Sequence, residues 1–154
     1  MNRSRRNALK TGGVLAMLVA AGIVRPGEVL AQQQWNQGAF NSKTLRDALQ
    51  ALGAQSPAAS GAVLIKAPEI AENGAVVPVA IESKLPGTQS ITLLIEKNPL
   101  PLAASFEIPA GTEPSVSTRV KMGESSDVYA LVKADGKFYF AKKEVKITIG
   151  GCGG

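Results

Sequence analysis

Residues 128–149 read Val128-Tyr-Ala-Leu-Val-Lys-Ala-Asp-Gly-Lys-Phe-Tyr-Phe-Ala-Lys-Lys-Glu-Val-Lys-Ile-Thr-Ile149, and this run decides the fold class. Two stretches rich in Val, Ile, Tyr and Phe flank Asp135-Gly136. Both turn residues tolerate the positive φ of a type I′ turn, so the pattern predicts a hairpin of strands 128–133 and 137–149. The second strand is long and is expected to divide at Lys142-Lys143. Toward the N-terminus the same period of two recurs at 62–66, 76–81, 91–97, 104–108 and 116–122, with turn residues between. Asn73-Gly74 is a second hairpin candidate. Pro78 has no N–H for a ladder hydrogen bond, which places its strand at an edge or a bulge. Some seven short strands over residues 61–149 predict a mainly β fold, an antiparallel sandwich of immunoglobulin type.

Upstream of the strands the period changes. Leu45, Ala48, Leu49 and Leu52 follow i, i+3, i+4, i+7, one face of a helix. Asn41-Ser42 is read as its cap and Gly53 as its end. Residues 32–38 are polar and read as loose, and 54–60 are a Ser/Ala/Pro linker, so 32–60 form an N-terminal helix and linker. Residues 1–31 read as an address. A basic start precedes an apolar, charge-free stretch from Thr11 to Val24, 14 residues long. That is shorter than the 17 or so needed to cross a bilayer. A small-residue cleavage pattern ends at Ala31, before Gln32, as in a secretory signal. Arg5-Arg6, with Ser4, Leu9 and Lys10, fits the bacterial twin-arginine signal, although Ala8 stands where that pattern prefers an aromatic residue. The expectation is folding in the cytoplasm, folded export, and a working life in the periplasm without a membrane anchor after cleavage.

Charge confirms that the two parts differ in character. The chain carries 17 Lys and Arg against 12 Asp and Glu, a net +5. Five of the basic residues and one of the acidic residues lie in 1–31, which leaves 12 and 11 for the remainder, a net +1. A nucleic-acid binder needs a basic face, and residues 32–154 do not supply the charge for one. Histidine is absent and cysteine occurs once. This excludes Ser-His-Asp and Cys-His catalysis, zinc sites built on Cys or His, and an intrachain disulfide. No metal ligand set is read from the sequence. The core is small for an unbridged exported domain, and a partner subunit covering part of the surface and a small stable monomer both fit the composition.

The remaining chemistry lies at the end. Ile149 is followed by Gly150, Gly151, Cys152, Gly153 and Gly154. Without Cβ atoms these glycines give a thin, conformationally free arm, and three residues from Ile149 to Cys152 reach roughly 10 Å. A thiol on such an arm can enter a narrow channel in another protein, and thiolate sulfur suits reversible S–S chemistry. Local sequence does not acidify it. The nearest cation is Lys146, six residues away, so the thiol is expected near or above the ordinary value of about 8.5. Lys142, Lys143 and Lys146, at the arm's root, are candidate docking residues for proteins that use the thiol.

The Gly-Gly-Cys-Gly-Gly pentapeptide after Val145-Lys-Ile-Thr-Ile149 resembles the SoxY family of thiosulfate-oxidising systems. So do Ala67-Pro-Glu-Ile-Ala-Glu-Asn-Gly-Ala-Val-Val-Pro-Val79, Glu96-Lys-Asn-Pro99 and Ala134-Asp-Gly-Lys137. The resemblance implies a covalent carrier of thiosulfate-derived sulfur on Cys152, with no catalytic residues and no cofactor of its own. It implies a heterodimer with SoxZ. It also implies transient encounters with a haem enzyme (SoxAX), a manganese-containing hydrolase (SoxB) and, where present, a sulfane dehydrogenase (SoxCD). The 67–79 stretch could serve the SoxZ contact or simply form a turn and strand.

Three other readings compete. A ubiquitin-like carrier would load sulfur on the Gly153-Gly154 terminus, but that needs ATP in the cytoplasm and conflicts with an export signal. An interaction module joined through an intermolecular disulfide predicts a stable dimer and no sulfur adduct. A thiol peroxidase lacks a second cysteine to resolve its intermediate.

Overall fold

The computed structural model describes residues 36–149. The signal residues Arg5 and Arg6, the cleavage pair Ala31 and Gln32, and the arm Gly150, Gly151, Cys152, Gly153 and Gly154 lie outside them.

Asp135 and Gly136 both have positive φ, 47° and 74°, and close the expected two-residue hairpin between β8 (Ser126–Ala134) and β9 (Lys137–Ile149). From this hairpin the large sheet grows by antiparallel pairing of β8 with β5 (Thr88–Ile95) and of β5 with β6 (Leu102–Glu107). The small sheet is β2 (Val63–Lys66), β4 (Val77–Ser83) and β7 (Ser115–Val120), in the order β2-β4-β7. The inward faces of the two sheets meet in one core. Val77, Val79 and Ile81 from β4 pack with Ile91, Leu93 and Ile95 from β5, Val128 and Val132 from β8, and Val145 from β9.

Two short strands were not expected. β1 (Ala58–Ala59) lies within the segment read as linker, and β3 (Ile70–Asn73) lies within the 67–79 stretch. Both run parallel to β9 on its outer edge, β1 beside Tyr139 and Phe140 and β3 beside Lys146, Ile147 and Ile149. The sandwich is therefore not wholly antiparallel. Nor does β9 divide at Lys142-Lys143. Its register with β8 is unbroken from Ala134↔Lys137 to Ser126↔Val145. What changes midway is the partner on the opposite edge.

Asn73-Gly74 makes a turn between sheets rather than a hairpin. Asn73 Oδ1 accepts from the Ala75 amide at 2.8 Å, an Asx turn that carries the chain from β3 to β4. Pro78 sits in the central strand of the small sheet, not at an edge. Pairing of β4 with β2 stops at Lys66↔Ala80, so Pro78 has no β2 residue to receive the N–H it lacks.

Of the stretch 32–38 read as loose, residues 37 and 38 instead open a single helical turn, α1 (Gln37–Phe40), ahead of α2 (Leu45–Ala51). The cap of α2 is Thr44, whose hydroxyl accepts from the Asp47 amide at 3.1 Å; Asn41 instead closes α1. At the C-terminus the Gly53 amide bonds Gln50 O at 2.9 Å and the Ala54 amide bonds Leu49 O at 2.8 Å. These are the two bonds of a Schellman ending. The helical face read from the sequence packs Ala48, with Leu45, Leu49 and Leu52, on the outer face of the large sheet against Leu94, Leu102 and Leu131. The molecule thus has helices, large sheet and small sheet in that order.

Candidate functional site

The site is the root of the arm, the last turns of chain before Gly150. β9 extends four residues past the end of β8 pairing at Val145. Its tip is held by other means. On the β3 side, Ile70, Ala71 and Asn73 pair with Lys146, Ile147 and Ile149. On the other side the Ile147 amide donates to Ser125 Oγ at 2.9 Å. Thr148 Oγ1 donates to Glu72 O at 2.9 Å. The Gly74 amide donates to Ile149 O at 2.8 Å, and Gly74 O in turn accepts from the Met122 amide at 2.7 Å. Asn98 ties the next loop in, its Nδ2 to Lys121 O at 2.8 Å and its Oδ1 to the Gly123 amide at 3.2 Å. Two loops therefore brace the strand up to its last described carbonyl, and a third, through Asn98, holds one of them. Val145 is fully buried, whereas Ile149 is 68 % exposed.

The three lysines named from the sequence do not share a face. Alternate residues of a strand point to opposite sides. Lys142 lies on the outer face of the large sheet, where its ammonium bonds Asp127 Oδ2 at 2.6 Å and stands 5.8 Å from the Tyr129 ring centroid. Hydrogen bonding to Asp127, then electrostatic interaction with Tyr129, raises the Lys142 pKa. Burial, followed by the Glu96 carboxylate, raises that of Tyr129. Lys146 shares the Lys142 side and is exposed. Lys143 turns the other way, and its Nζ donates to Ala67 O at 2.6 Å, fixing the chain where β2 gives way to β3.

Among the described residues no group of three or more His, Cys, Asp or Glu is disposed to hold a metal ion. No helix among them is long and apolar enough to cross a membrane. The bracing of the β9 tip was not expected from the sequence. Gly74 and Ser125 act through one backbone amide and one hydroxyl, and only the Asn73-Gly74 turn signal hinted at either.

A model of the sulfur oxidation protein SoxY matches residues 48–152, a span that begins in α2 and runs through the cysteine. The chain belongs to the SoxY family. It is similar to the solved sulfur carrier protein SoxY of Chlorobium limicola f thiosulfatophilum, with 40% identity and a TM-score of 0.63 over 73% of this chain and 99% of that one. A superoxide reductase (neelaredoxin) of Ignicoccus hospitalis aligns at 23% identity and a TM-score of 0.49, covering 55% of this chain and 78% of its own. That likeness carries no functional weight. The comparison with curated proteins found no match. SoxY membership gives the chain a sulfur-carrier role and partnership within the sulfur-oxidising system.

Proposed function

We propose that this chain carries thiosulfate-derived sulfur covalently on the Cys152 thiol and presents it to separate enzymes. The observation that carries the reading is the family match extending through Cys152, joined to a strand tip clamped at Ile149 O. The clamp gives the arm a fixed origin.

Loading joins the Cys152 sulfur to the terminal sulfur of thiosulfate. One S–S bond forms, the thiol proton leaves, and two electrons pass to an oxidant, which the SoxY resemblance identifies as the haem enzyme SoxAX. Hydrolysis by SoxB breaks the bond between the sulfone and the sulfane sulfur. Water supplies the oxygen of the released sulfate, and a persulfide stays on Cys152. Where SoxCD exists it oxidises that outer sulfur, and a further hydrolysis restores the thiol. The chain is a substrate of these steps rather than their catalyst, and it brings no cofactor. SoxZ is its stable partner. Arg5-Arg6 directs export of the folded pair to the periplasm, with cleavage between Ala31 and Gln32. Of the candidate docking residues Lys142, Lys143 and Lys146, Lys146 contributes most through charge, because Lys142 is held by Asp127 and Lys143 by Ala67 O. Reversal of all three charges with every partner rate unchanged excludes that contribution.

The test is intact mass spectrometry of the mature protein from cells oxidising thiosulfate, with and without reductant. Adducts of thiosulfonate or persulfide mass on Cys152, removed by reductant and absent in Cys152→Ser, are expected. A clean thiol, or a disulfide-linked dimer alone, overturns the reading in favour of an interaction module.

A further inference from the structure

Asn73 is the one asparagine of the chain followed by glycine. That pairing has a chemistry of its own. The side-chain carbonyl carbon of an asparagine is one five-membered ring closure away from the next backbone nitrogen. Glycine at the next position has no Cβ to hinder the closure. Asn36, Asn41 and Asn98 instead precede Gln37, Ser42 and Pro99, and Pro99 has no N–H to give up.

The fold holds the two reacting groups in opposite conditions. Asn73 is exposed, and its Oδ1 accepts from the Ala75 amide at 2.8 Å. The ring closed by that bond contains both the Asn73 Cγ and the Gly74 nitrogen, and the donated N–H draws electrons from the carbonyl. The electrophile is thus wet, polarised and in one turn with its nucleophile. Gly74 is buried, and its amide is engaged by Ile149 O at 2.8 Å. The nucleophile is therefore locked by a bond to the last residue of β9. β3 pairs with β9 alone among the described strands, through Ile70, Ala71 and Asn73. A short segment held on one side opens locally more readily than the whole fold. The bonds from Thr148 Oγ1 to Glu72 O and from the Ile147 amide to Ser125 Oγ, each 2.9 Å, oppose that opening.

We propose that Asn73 is a deamidation site gated by the Gly74–Ile149 hydrogen bond. When β3 parts from the β9 tip, the Gly74 nitrogen gives up its proton and attacks the Asn73 Cγ. The N–Cγ bond forms, the Cγ–Nδ2 bond breaks, and the amide nitrogen takes up the proton and leaves as ammonia. Water then opens the succinimide, giving aspartate or isoaspartate at position 73. Nothing is oxidised or reduced. Isoaspartate adds one carbon to the main chain and breaks the Asn73↔Ile149 register. Either product places a new negative charge beside Glu72. Reclosure is disfavoured, so the conversion records the opening. The reaction needs no cargo on Cys152 and is independent of the carrier reading.

The experiment ages the purified chain, with whatever subunit accompanies it, in mildly alkaline buffer, folded and in concentrated urea. Peptide mass spectrometry follows amide-to-acid conversion, and isoaspartyl methyltransferase labelling separates the two products. Conversion is expected at Asn73 and not at Asn36, Asn41 or Asn98. The unfolded chain is expected to react at least about tenfold faster than the folded one. Thr148→Val and Ser125→Ala each remove one bracing bond and are expected to speed the folded reaction by about two- to tenfold, with the rate in urea unchanged. Leu94→Ala weakens the fold on the outer face of the large sheet and is expected to match wild type. No conversion at Asn73 in urea overturns the site. Equal folded and unfolded rates, or folded rates unmoved by both bracing variants, overturn the gate. So does an equal acceleration in Leu94→Ala, which assigns the reaction to global unfolding.

Discussion

At the scale of the residue, chemistry and structure divide between Cys152 and the lysines before it. A thiolate is stabilised by nearby positive charge. Of the three lysines, Lys142 is engaged by Asp127 at 2.6 Å and Lys143 by Ala67 O at 2.6 Å on the opposite side of the strand. Lys146 is the one left to act, and it lies six residues from the cysteine. The thiol of the isolated protein is therefore expected to titrate near or above about 8.5. Activation is left to the enzyme that receives it. Iodoacetamide alkylation followed from pH 6 to 10 checks this, and a half-maximal rate well below pH 8 would refute it. Lys143 also shows what the sequence conceals. Two adjacent lysines read as a break in a strand, yet one continues the inward-facing series of β9 and spends its charge on a backbone carbonyl.

At the scale of the element, legibility followed the strength of the local signal. All seven expected strands exist because each carries period-two patterning and turn chemistry at its ends. The hairpin at Asp135-Gly136 was readable because positive φ at both positions is a sharp requirement. β1 and β3 were not readable. Ala58-Ala59 has no strand preference, and both strands exist because β9 offers a free edge. The bracing of the β9 tip was not readable either, because it depends on contacts of Ser125 with Ile147 and of Gly74 with Ile149, residues distant in sequence. A third layer was legible in principle. Leu93-Leu94 and Leu131-Val132 are neighbouring apolar pairs that point to opposite faces, so both faces of the large sheet had to be covered. Leu94 is fully buried beneath the helices. Leu94→Ala should cost about 2–5 kcal/mol, read as a lower urea midpoint. If stability is instead unchanged, the helical layer is not part of the cooperative fold.

At the scale of the whole molecule, the charge inventory sets how stability responds to pH. Without histidine, no side chain of ordinary pKa changes charge between about pH 5 and 8, and stability across the neutral range should be flat. The resolved shifts lie on the alkaline side. Burial, with help from Glu96, raises Tyr129 above 10.0. Its bond to Asp127 raises Lys142 above 10.5. In both cases the folded state keeps a proton that the unfolded chain releases first. Linkage then gives a contribution that is fully present below the unfolded values and is lost as pH rises through the folded ones. The loss therefore begins above about pH 10. Tyr129 stacks on Phe140 under the helical layer, ring centroids 6.1 Å apart, so its ionisation would place charge beside the outer core. Urea midpoints at pH 6 and 8 should agree, and the midpoint at pH 11 should be lower. Tyr129→Phe keeps the ring and removes the ionisable oxygen, and it should reduce the alkaline loss while leaving the neutral midpoint nearly unchanged. An equal fall at pH 11 in that variant would move the cause away from Tyr129 to the surface ammonium groups, Lys142 among them, whose attraction to the carboxylates is lost over the same range.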